Sequence, residues 1–73
     1  MKEQKIKEIL LKRNSDFKRA VDLHRECEEK LEDLNKKPYL SADEEIEERE
    51  IKKKKLSLKD KIYRMILEYK NSQ

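Results

Sequence analysis

At 73 residues, 51% of them charged and 34% hydrophobic, the chain has too little apolar material for a self-sufficient globular core. Twenty basic residues against 17 acidic ones leave a net charge of only +3, a mixed polyampholyte and not a cation built to seek acidic partners. Gly is absent, which excludes Gly-rich phosphate loops, and a single Cys excludes an intrachain disulfide and suits a reducing interior.

The opening MKEQKIKEILLKRN has at most three apolar residues in a row. Neither a signal peptide nor a membrane span is expected, so the reading is a cytoplasmic protein without a membrane partner. From there Ile6, Leu10, Arg13, Phe17, Ala20, His24, Cys27, Leu31 and Leu34 follow one another in alternating steps of four and three. That spacing is a heptad seam. Ile9, Val21 and Leu23 flank and widen it, while Lys5, Glu8, Lys12, Lys18, Arg25, Glu29 and Glu32 form the opposite face. The pattern predicts one helix over about residues 2–35, ~45 Å long. Its weak point is Asn14-Ser15-Asp16, three poor helix formers that also suit a new helix start.

His24 and Cys27 stand three apart on the seam, as two ligands of a metal shared between chains would. One chain offers only these two soft ligands, so the favoured reading is a polar seam residue beside a small core residue, with no metal and no cofactor. Neither a second His nor a shaped pocket supports Cys27 as a nucleophile, and no catalytic residue is expected.

The helical pattern breaks at NKKPYLSADE, residues 35–44. Pro38 lacks an N–H and pushes the preceding residue off helical angles, so the first helix should end by Lys37. Ser41 and Glu44 form an S-x-x-E capping box that should start a second helix over about 42–70. A turn this short, about 36–41, returns the chain on itself. The expected fold is therefore all-α: a single domain over 1–73 in which two long antiparallel helices form a coiled-coil-like hairpin.

The second arm opens on Asp43, Glu44, Glu45, Glu47, Glu48 and Glu50, which complement the helix dipole. Glu45–Arg49, Glu48–Lys52 and Glu50–Lys54 are spaced as i,i+4 pairs. Lys52, Lys53, Lys54, Lys55, Lys59 and Arg64 invite a nucleic-acid reading through phosphate contacts. The acidic block one turn away and the lack of an aromatic residue within the run favour a solvated, salt-bridged face instead. Two apolar stripes run along this arm. The inner one, Ile51, Lys55, Leu58, Ile62, Met65 and Tyr69, belongs with the first-arm seam of Phe17, His24 and Leu31. The other, Leu56, Tyr63 and Leu67, lies about 120° away with Ile66 between them. A two-helix hairpin covers one stripe only, which makes the other the candidate oligomer interface.

Phe17, His24, Leu31 and Pro38, followed by SADEEIEEREIKKKKLSLKDKIYRMI, resemble the YdcH-like family of small bacterial proteins of unknown function. The resemblance covers Phe17 to about Ile66 and is most specific at KLSLKDKIYRM, Lys55 to Met65. It implies a long antiparallel α-hairpin, and it carries over no activity, cofactor or catalytic residue. The family's hallmark His corresponds to His24 and its L-K-D segment to Leu58-Lys59-Asp60. Cys27 departs from the usual Leu, and Glu47 to Glu50 is more acidic than usual. The expected function is a non-enzymatic hairpin that self-associates, as an antiparallel dimer resembling a four-helix bundle, and presents a surface to an unnamed protein. The alternative is a nucleic-acid-associated accessory protein using the basic face of the second helix.

Overall fold

The computed structural model describes residues 2–72; the expected domain over 1–73 reaches one residue beyond them at each end. Three helices follow in order: α1 (Glu3–Arg13), α2 (Ser15–Asn35) and α3 (Ala42–Asn71). The described residues contain no strand. α2 and α3 form the antiparallel hairpin, and α1 packs on both. The architecture is all-α, and the single first helix expected over 2–35 is in fact two.

The split falls at Asn14. Its backbone is extended (φ −123°, ψ 107°), and its side-chain Oδ1 accepts the Phe17 N–H at 3.1 Å. Asn14 is thus the last residue of one helix and the N-cap of the next, as its short polar side chain favours. Arg13, expected on the seam, stands exposed at this corner. A straight arm over residues 3–35 would alone measure ~50 Å at 1.5 Å per residue. The whole molecule is 48 Å in its longest dimension. α1 leaves the line of α2 and lies against α3, where Glu3 shares hollows with Tyr63 and Ile66.

This placement joins Ile6 and Leu10 of α1, Phe17 of α2 and Ile66 of α3 in one buried cluster, with Val21, Ile62, Met65 and Tyr69 around it. Ile6 and Phe17 are the most completely buried large side chains. An isolated helix of 11 residues is marginal in water. α1 has no side-chain cap at Lys2 either. Burial of Ile6 and Leu10, each contributing ~1.5–3 kcal/mol, is what holds it. A second cluster nearer the turn joins Cys27, Leu31 and Leu34 to Ile51, with Leu40 and Leu58 packed on it.

The turn itself forms where Pro38 requires. α2 ends at Asn35, and the Lys36 and Lys37 amides close the last turn onto Glu32, Asp33 and Leu34 carbonyls. The capping box is complete: the Glu44 N–H donates to Ser41 Oγ at 3.1 Å and the Ser41 N–H to Glu44 Oε1 at 3.1 Å. α3 then runs unbroken for 30 residues, with neither Pro nor Gly inside it.

Ile66 is the residue of α3 that α1 needs. Ile66→Ala should destabilise the protein by ~2–5 kcal/mol. Hydrogen exchange should show the loss first in α1 amides, with Leu31 to Asn35 and Ile51 to Leu58 still protected. Uniform loss along all three helices would contradict the division into two clusters.

Candidate functional site

α3 decides where a surface is left over. The inner stripe faces α2: Ile51 is buried, and Leu58, Ile62 and Met65 are half-buried. Phe17 and Leu31 of the opposing seam are buried, and His24 is half-buried. The second stripe is divided by α1. At its upper end Ile66 is 3% exposed, and Tyr63 and Leu67 border α1 at 55% and 37%. Below α1, Leu56 is left 61% exposed.

Leu56 lies in an open groove of about 620 Å³ between α2 and α3. Leu31 and Leu56 are its apolar residues. Glu28, Glu32 and Asn35 line it from α2, and Lys52, Lys55 and Lys59 from α3. Lys59 also lines the hollow that contains Glu3 and Lys7 of α1, so the groove begins where α1 stops. The α3 wall was readable as i, i+3, i+7 spacing within the basic run. The α2 wall was missed: Glu32, expected on the face opposite the seam, lines the groove with Glu28, its i,i+4 neighbour.

The basic run is not one patch. Successive residues turn by about 100° on a helix, so four lysines wrap most of the way around it. Lys52, Lys55 and Lys59 face the groove and its carboxylates. Lys54 lines a hollow on another side with Glu26 and Glu50. Lys53 and Arg64 are exposed. Of the i,i+4 pairs expected on α3, Glu48–Lys52 closes, at 3.2 Å. Lys55 is half-buried on the inner stripe, as its long apolar stem allows.

His24 Nδ1 lies 2.9 Å from Glu28 Oε1. Its Nε2 is buried without a hydrogen-bond partner among the described residues. Cys27 is a buried free thiol within the second cluster. Among the described residues no three His, Cys, Asp or Glu side chains are grouped to hold a metal ion, and no helix is long and apolar enough to cross a membrane.

At the tip, Pro38 and Ser41 are exposed and Tyr39 is 88% exposed. The Lys37 ammonium pairs with the Glu44 carboxylate beneath them. The hydrogen bond from Lys37, then that from the Ser41 amide, hold the Glu44 carboxyl below its ordinary 4.5. Glu44 in turn raises Lys37 above 10.5, by its hydrogen bond first and its charge second.

A depressed carboxyl stabilises the fold above its unfolded value, and that contribution is lost as pH falls through the folded value. The turn should therefore loosen in acid below the ordinary 4.5. Glu44→Gln should flatten the acid limb of the melting curve plotted against pH. An unchanged limb would mean that Glu44 contributes nothing through its charge. His24→Leu removes a buried nitrogen that has no partner, so stability should hold or rise by up to ~1–2 kcal/mol. A fall of that size in urea unfolding would show that the Glu28 contact matters more than the orphaned atom.

The chain matches the model of a family described as a protein of unknown function, DUF465, over residues 17–66. That is more than half of its length, and it covers most of α2, the turn and most of α3. Neither a curated protein nor a solved structure is significantly similar to it.

Proposed function

The chain belongs to that family of unknown function, DUF465, and from this premise we propose that it is a non-enzymatic helical hairpin that acts by binding protein. It associates with a second copy of itself in the cytoplasm and offers the remaining helical surface to another protein. The observation that carries this reading is Leu56, a large apolar side chain left bare in a groove with oppositely charged walls. Covering it is worth ~1.5–3 kcal/mol. A hairpin of this size has little stability to spare, so association should stabilise the fold.

The charges suit a second copy. Glu28 and Glu32 line the groove opposite Lys52, Lys55 and Lys59. A copy turned about an axis along the helices brings its basic wall against the acidic wall of the first. An axis across the helices would set like charges together, which opposes that arrangement. The nucleic-acid reading is weaker. A phosphate backbone approaching Lys52, Lys55 and Lys59 would also meet Glu28 and Glu32.

Sedimentation at micromolar concentration tests the reading. The wild type should associate, and its melting point should rise with concentration. Leu56→Lys should weaken association through the groove at least about tenfold while leaving helicity intact. A wild-type monomer with a concentration-independent melting point would remove self-association and leave the groove to a different protein. Retention on a nucleic-acid column at ~0.15 M salt, lost steeply as salt rises, would favour the alternative.

A further inference from the structure

We propose that α1 is an exchangeable arm: its seat on α2 and α3 takes α1 from a second chain, and two chains interlock by trading first helices. The proposal does not rest on the groove. It uses the contacts among Ile6, Leu10, Phe17 and Ile66.

The first observation is the joint. One residue, Asn14, separates two helices that leave it in different directions. Connections this short favour exchange between copies, because straightening the joint relieves the need to turn the chain back. The joint also has a ready alternative. A continuous helix needs the amides of Ser15, Asp16 and Phe17 to reach the carbonyls of Leu11, Lys12 and Arg13. The bonds on either side are already helical: Asn14 N–H to Leu10 O at 2.8 Å and Lys18 N–H to Asn14 O at 3.1 Å. The Phe17 amide is held instead by Asn14 Oδ1. That side chain is the main local group favouring the bend.

The second observation is the seam. The steps from Ile6 to Leu10, Arg13 and Phe17 keep the heptad spacing through the joint. A straightened arm would carry Ile6 and Leu10 on the same face as Phe17 but past the seat they now fill. Both consequences call for the same partner. Carried away from α3 on the straightened helix, α1 leaves Ile6 and Leu10, both buried in the present fold, open to water. The vacated seat leaves Ile66 and Phe17 bare. A second chain that has straightened in the same way supplies an α1 for each seat, and the exchange closes on itself with two-fold symmetry.

The test uses the full chain with Cys27→Ala. One preparation carries Glu3→Cys and another Lys70→Cys, two positions that border the same hollow. The two are unfolded together, refolded as a mixture and treated with a short bis-maleimide. An exchanged dimer gives a cross-linked pair of the two chain types. Asn14→Ala, which removes the cap, should raise that product about fivefold. Ser15→Ala favours the straight helix while leaving Asn14 in place, so it serves if the first variant folds poorly. Leu56→Lys should leave the product unchanged, whereas an association through the groove alone would be lost with it. Absence of the cross-linked pair in both joint variants, or its loss in Leu56→Lys, would overturn the proposal whatever the fate of the groove.

Discussion

α3 carries more apolar circumference than one neighbouring helix can cover, and the rest of the structure follows from that excess. α2 takes the side that bears Ile51, Leu58 and Ile62. Ile66 is turned partly away from α2, and Tyr63 and Leu67 further still. A third element is needed to close that side, and α1 supplies it. Dependence runs both ways: α1 is helical because it docks, and Ile66 is buried because α1 is there. α1 is ~16 Å long and α3 ~45 Å. One arm therefore leaves part of the excess open, and Leu56 lies in that part.

The turn and most α2 and α3 members of the two clusters could be read directly from the residues, Ile66 excepted, which the spacing placed between two stripes. Pro38 and the Ser41–Glu44 box are local signals whose geometry depends on a few adjacent atoms. Phe17, Leu31, Leu58 and Ile62 follow from spacing alone. The bend at Asn14 was only half readable. Asn14-Ser15-Asp16 marked a possible start, but the seam runs through it without a change of phase, and periodicity argued for one helix. What decides the matter is non-local, since Ile66 lies 52 positions further along the chain. The second stripe was visible as a surplus. Which part of it α1 covers depends on the direction in which α1 leaves Asn14, and no local pattern carries that. Glu28 and Glu32 were invisible as a groove wall for a related reason: they gain meaning only opposite Lys52, Lys55 and Lys59.

The lysine run illustrates how helix geometry changes the reading of composition. In the linear sequence Lys52 to Lys55 is a dense cationic block. On α3 it is dispersed, with carboxylates facing the lysines on two sides. Lys55 sits half-buried on the inner stripe, where an aliphatic residue would extend the contact with α2. Exposed pairs of this kind contribute little to stability, typically 0–1 kcal/mol each. Their larger effect is on which surfaces may approach, because like charges brought together are penalised and opposite ones are steered.

Three polar residues occupy positions where apolar or better helix-forming ones would stabilise more. Asn14 interrupts a helix, His24 leaves a buried Nε2 unpartnered among the described residues, and Lys55 stands half-buried on an apolar stripe. Each has a geometric consequence. Asn14 turns α1 onto α3. His24 Nδ1 approaches Glu28 to 2.9 Å, which sets the seam beside the acidic wall of the groove. Lys55 links the inner stripe to the basic wall: it is half-buried and lines the groove that Glu28 and Glu32 line from α2. A polar residue in a seam lowers stability but penalises slipped pairings, since a shift of one turn would move it among apolar neighbours. In a chain whose apolar positions repeat every three or four residues, slippage is the main competing structure. These residues make one register differ from the next, and two of them are tied to the same groove. His24 and Lys55 both stand beside the groove, so a register set by them would also set the height of its two walls relative to each other.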